Sequence, residues 1–138
     1  MGAHAVHHVG YLTSDVERAS AELGSQLGLE VTRRFERPQY SLFGVYLGVG
    51  PANIEVFSFT DPALVDPRLG DKLLLLDHVA YAVSDIHSVA AQMRERGVRF
   101  TGPDGRADIT EPIDLGGVLH MWTDAATAGG LAIQLVQD

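Results

Sequence analysis

Apolar and polar positions alternate over residues 5–13, which predicts a strand with His8, Gly10 and Leu12 on one face and His7, Val9 and Tyr11 on the other. Ser14-Asp15-Val16-Glu17 then has the Ser-x-x-Glu form of a helix start, and Val16, Ala19, Leu23 and Leu27 follow at near-helical spacing. A helix is expected over 15–27, with Gly28 as its stop. Three stretches rich in β-branched and aromatic residues, 29–37, 40–48 and 53–59, read as strands separated by Pro38 and by Gly48-Val49-Gly50-Pro51. The pattern over 4–60 is therefore strand, helix, strand, strand, strand.

The same pattern returns 70 residues later. His8, Val9, Tyr11, Ser14 and Asp15 are matched by His78, Val79, Tyr81, Ser84 and Asp85. A second strand is expected from Leu73, with His78, Ala80 and Ala82 on one face. Ser84-Asp85 opens a second helix whose buried stripe is Ile86, Val89, Ala90 and Met93, ended by Gly97, with Arg94, Glu95 and Arg96 as a solvated last turn suited to the helix dipole. Residues 98–101, 118–122 and 131–136 complete the second unit, and 102–117, full of Gly, Pro and Asp, is the candidate lid or rim. The fold class expected is α+β: one domain over 1–138 of two tandem βαβββ modules, 4–60 and 73–138. The connector, 61–72, carries two prolines and a glycine but is too apolar for a loose linker. Each module alone is marginal in size, so the two are expected to pair.

Charge narrows the partners. Ten Lys and Arg against eighteen Asp and Glu leave −8, which argues against nucleic acid or an anionic membrane and for a small-molecule substrate. No cysteine is present, so disulfides and thiolate chemistry are excluded. Neither a signal peptide nor a long apolar run is evident, and a soluble, cytoplasmic protein is expected.

The repeat also selects the chemistry. It returns a histidine to the same strand position, which would bring His8 and His78 together if the copies pack symmetrically. In the fourth strand of the first copy Glu55 is flanked by apolar residues, where a carboxylate is costly unless it is paired, hydrogen-bonded or metal-bound. Gln134 holds the corresponding place in the second copy. Two imidazoles, one carboxylate and one amide suit a divalent transition metal: Co, Ni, Zn, Mn or Fe.

These residues carry a resemblance. The chain is similar to the vicinal oxygen chelate superfamily, which includes glyoxalase I, bleomycin resistance proteins, extradiol dioxygenases and methylmalonyl-CoA epimerase, and the similarity covers essentially all 138 residues. His78-Val79-Ala80-Tyr81, Met93-Arg94-Glu95-Arg96-Gly97-Val98, Ile54-Glu55 leading to Thr60-Asp61-Pro62, and Gly129-Gly130-Leu131-Ala132-Ile133-Gln134-Leu135-Val136 look most like the epimerase branch. The resemblance implies that the paired modules form a curved mixed sheet that cups a metal held by His8, Glu55, His78 and Gln134. It also implies a substrate chelating through two neighbouring oxygens and deprotonated next to a carbonyl. Epimerases of this branch carry Gln in copy one and Glu in copy two; here the two are exchanged, which makes Glu55 the expected base and leaves His120 as the evident candidate for a second acid-base group. The function expected is that of a metal-dependent isomerase, epimerase or glyoxalase-type enzyme, acting as a homodimer. The alternatives are a metal-free binding protein of the bleomycin-resistance type and, further off, an iron-dependent dioxygenase, whose carboxylate ligand resembles the position of Gln134.

Overall fold

A computed structural model describes residues 2–138. It is a mixed α+β fold with ten strands and three helices. Contacts group the chain into two compact units, His8–Asp77 and His78–Asp138 with the segment up to His7.

The first unit takes in the C-terminal half of β1 (Ala3–Leu12), α1 (Val16–Leu27), β2 (Val31–Arg37), β3 (Leu42–Val49) and β4 (Ala52–Phe59), followed by α2 (Asp66–Leu69). Its strand order is β2-β3-β4-β1, with β1 parallel to β4 and the other pairs antiparallel. Helix α1 lays Val16 and Ala19 on Val45, Leu47 and Val56, whereas Leu12, Phe57 and Phe59 on the opposite face pack with Val65 and Leu69. The apolar connector is thus a core element, folded into a 3-10 turn over Pro62–Leu64 and into α2. Gly44 sits where the ring of Phe35 crosses β3; a Cβ there would come within 2.4 Å of the Val56 carbonyl oxygen and 2.9 Å of Phe35 Cζ, so only hydrogen fits.

Three local expectations are corrected. The helix cap is Asp15 and not Ser14: the Asp15 carboxylate accepts from the Arg18 N–H, as Asp85 does from Ser88 in the second unit. Leu27 is 57% exposed, because the last turn of α1 runs past the strands it covers, and Gly28 closes it with φ 68°. Residues 38–40 form a 3-10 turn ending in Ser41 at φ 55°, so the third strand starts at Leu42.

The second unit holds the C-terminal part of β5 (Leu75–Val83), then α3 (Ile86–Glu95), β6 (Phe100–Thr101), β7 (Asp108–Ile109), β8 (Ile113–Leu115), β9 (Val118–Thr123) and β10 (Ile133–Gln137). Its order, β5-β10-β9-β6-β7 with β8 on β9, matches that of the first unit when β5, β10, β9 and β6 stand for β1, β4, β3 and β2. Ile86 and Ala90 of α3 pack on Val83, Phe100, Met121 and Leu135. The stretch 102–117, the candidate lid or rim, contributes β7 and β8, and the Arg94 guanidinium crosses to the Thr110 carbonyl instead of standing in solvent alone.

Candidate functional site

Register places the chemistry. In the first unit β4 pairs Glu55 with Gly10 of β1 on one side and Tyr46 of β3 on the other, so His8, Glu55 and Tyr46 share the face away from α1. His8 is fully buried and Glu55 is 7% exposed. The Tyr46 hydroxyl donates to Glu55 Oε2 at 3.0 Å, and His8 Nε2 stands 3.6 Å from the same oxygen. The His8 imidazole meets the Tyr46 ring edge to face, 5.6 Å between centroids. Burial above all, reinforced by the charge and hydrogen bond of Glu55, holds the Tyr46 hydroxyl far above its ordinary pKa, against a weaker opposing pull from Arg33 and Arg37. Tyr46 is therefore a permanent donor that orients the carboxylate.

The internal register of the second unit repeats this frame with other side chains. Gln134 of β10 pairs with Ala80 of β5 and Trp122 of β9, so Gln134 stands where Glu55 does and Trp122 where Tyr46 does. His78 is buried on β5, and Gln134 is buried on β10. The Gln134 amide nitrogen lies 2.9 Å from His120 Nδ1, and the His120 ring stacks on Trp122 at 5.6 Å and 11°. With the amide nitrogen as donor, Nδ1 is the acceptor, which corresponds to the imidazole tautomer with its proton on Nε2.

His8, Glu55 and His78 are all buried and each offers one ligand atom; within the first unit the His8 nitrogen and the Glu55 oxygen, 3.6 Å apart, are placed to share a cation. Two imidazole nitrogens and a carboxylate oxygen fit a divalent transition metal, since neutral imidazole and carboxylate both serve such ions. Tyr46 was not legible as a site residue from composition or periodicity. Its signal was the hairpin: a turn centred on Gly50-Pro51 sets residue 46 opposite 55, as the observed pairing does.

A two-unit βαβββ protein with buried His, His and Glu ligand candidates is the class that fold and site define. Residues 7–112 match the family model described as the Glyoxalase/Bleomycin resistance protein/Dioxygenase superfamily, and the chain belongs to that superfamily. An uncharacterised protein of Bacillus subtilis (strain 168), YwkD, is 32% identical over 101 residues, 68% of this chain and 73% of its own. Among solved structures, methylmalonyl-CoA epimerase from Mycobacterium tuberculosis is 19% identical, with a TM-score of 0.82 over 98% of this chain and 88% of that one. A variant of the Streptomyces coelicolor methylmalonyl-CoA epimerase in complex with 2-nitronate-propionyl-CoA is 18% identical, with a TM-score of 0.83 over 99% and 98%. At these identities the likeness establishes the shared fold. Among the described residues no helix is long and apolar enough to cross a membrane.

Proposed function

We propose that this chain is a metal-dependent isomerase, of the epimerase or glyoxalase type, that moves a proton on the carbon next to a carbonyl of a small chelating substrate. The observation that supports this most is the buried pair of His8 and Glu55, whose Nε2 and Oε2 stand 3.6 Å apart. Taking a carboxylate out of water is expensive, and a cation at this point offsets the cost. In this reading His8, Glu55 and His78 hold a divalent ion of Co, Ni, Zn, Mn or Fe, and Gln134 adds its carbonyl oxygen. Such an ion, when bound, supplies Lewis acidity to the substrate carbonyl oxygen.

Glu55 takes the proton: the C–H bond breaks, its electron pair passes into the carbonyl, and the carboxylate becomes a carboxylic acid. Tyr46 keeps Oε2 oriented throughout. An amide has one oxygen, so the roles of Gln134 and His120 are linked. With the Gln134 nitrogen turned to His120, the amide oxygen is the atom that would serve a metal, and His120 would be an Nε2–H donor to a substrate oxygen, not a base. Glu55 then both removes and returns the proton. Were the amide reversed, Nδ1 would carry the hydrogen and Nε2 would become the base. We further take the whole chain as one such domain that acts in the cytoplasm as a homodimer.

The test is proton exchange in deuterated water, followed by NMR, over a panel of 2-substituted acyl thioesters, α-hydroxyketones and hemithioacetals, with metal content measured on the same samples. Wild type should take up metal and exchange at least one of these. Glu55→Gln should keep metal, more weakly, and lose about 10²–10⁴ in exchange rate. Exchange undiminished in Glu55→Gln would move the base to His120. No metal uptake at all would overturn the enzyme reading in favour of a metal-free binding protein.

A further inference from the structure

The face of the first unit that carries His8, Tyr46 and Glu55 continues outward onto the edge strand β2. There Arg33 pairs with Tyr46, and Arg37 pairs with Leu42. Phe35 stands between the two arginines and packs on the Tyr46 ring at 5.3 Å between centroids. The Arg33 guanidinium lies over that ring, 4.9 Å from its centroid. Arg37 donates to the neighbouring Glu36 carbonyl. Both cations are near enough to act on the Tyr46 hydroxyl, which itself touches Glu55.

What these arginines lack is a carboxylate. Glu17 and Asp108 are held by Arg34 and Arg99, on other surfaces, but no described acidic side chain forms an ion pair with Arg33 or Arg37. In a chain with net charge −8, two cations without carboxylate partners beside a candidate site are available to an anionic ligand. A guanidinium stacked on an aromatic ring is also held in place, so less freedom is lost when its N–H groups meet an oxyanion.

We infer that Arg33 and Arg37 form an oxyanion subsite beside Glu55 and Tyr46, and that the substrate is a small anion whose carboxylate or phosphate binds there. This rests on the reading of the His8–Glu55 region as the reaction site and specifies its substrate class. The anion's charged end lies against β2, Tyr46 forms the floor between, and the carbonyl end faces Glu55. Selection against neutral compounds of the same shape follows, because only an anion brings opposite charge to the guanidinium groups.

Dihydroxyacetone, dihydroxyacetone phosphate and hydroxypyruvate are suitable probes, since all carry a hydroxyl beside a carbonyl and differ in charge. Calorimetric titration into protein supplied with Co²⁺, with metal uptake followed in parallel, should show the phosphate or the carboxylate, whichever the subsite accepts, binding more tightly than the neutral compound. Removing each arginine should cost that anion roughly tenfold, the size of a hydrogen bond to a charged group. The double variant Arg33→Gln, Arg37→Gln should therefore bring the anion close to the neutral compound while leaving metal uptake unchanged. Arg33→Lys with Arg37→Lys keeps the charge and should retain most of the preference, which guards against damage to the edge strand. Equal binding of charged and neutral probes, or an anion preference indifferent to the glutamine substitutions, would overturn the subsite while metal uptake left the reaction site standing. Arginine-dependent anion binding without metal uptake would do the reverse.

Discussion

Tyr46 and Gln134 occupy different places in two copies of one frame, and each meets a neighbouring site residue through a side-chain hydrogen bond. Removing the hydroxyl in Tyr46→Phe leaves Glu55 buried with one donor fewer. Groups that orient a metal ligand are commonly worth 10–100-fold in metal affinity, and Tyr46→Phe should lose about that much in competition with a chelating dye. Global stability, read by urea unfolding, should fall by only about 1–2 kcal/mol. A fall in stability with unchanged metal affinity would reduce Tyr46 to a packing residue. Gln134→Glu tests the opposite unit. Two neutral imidazoles, a neutral amide and one carboxylate leave a divalent ion at +1, whereas a second carboxylate brings the site to neutrality. Metal binding in Gln134→Glu should therefore tighten several-fold by Coulomb attraction at a buried position. Unchanged or weaker affinity with the fold intact would remove Gln134 from the ligand set.

The elements follow the sequence where local rules suffice. Alternation in β1 and β5 put His8 and His78 on their buried faces, and in α3 the stripe Ile86, Val89, Ala90 and Met93 packs as its spacing requires. The rules fail where two of them compete. Ser14 and Asp15 both cap well, and the backbone decides for Asp15, whose φ of −142° is the extended cap conformation. Asp15→Ala should cost about 1 kcal/mol in urea or thermal unfolding. Ser14→Ala should cost little, and a reversal of that order would restore Ser14 as the cap. Residues 102–117 were opaque for a different reason: β7 and β8 are two or three residues long, below the length at which alternation can be read, and exist only because β6 and β9 offer them edges. The Glu55 and Tyr46 pairing was accessible through the hairpin turn, while the Gln134 contact to His120 depends on how 124–132 returns the chain, which no periodicity records.

At the scale of the molecule, each unit reproduces the same strand order with its own core, one around Ile86, Phe100 and Met121 and the other divided between the two faces of the β2-β3-β4-β1 sheet. Unfolding scatters His8, Glu55 and His78 along 71 positions of chain, so a metal held by all three binds only the native state. Thermal unfolding should accordingly shift upward on adding Co²⁺ or Zn²⁺, by the equivalent of about 2.7 kcal/mol when the free ion is 100-fold above its dissociation constant. His8→Ala should abolish the shift while a cooperative transition remains. A shift that survives in His8→Ala would place the ion elsewhere.

The stacking of His120 on Trp122 supplies the molecule with its own spectroscopic probe. Trp122 is the sole tryptophan of the chain, so every photon of indole emission reports on one ring and on the imidazole lying against it. His120 in turn is tied to Gln134. A ligand or ion that draws on the Gln134 oxygen, or a proton arriving on the imidazole, alters the electron density facing the indole and with it the emission intensity and colour. Events at Gln134 can thus be followed in the unlabelled protein by fluorescence, in real time and without knowledge of the substrate.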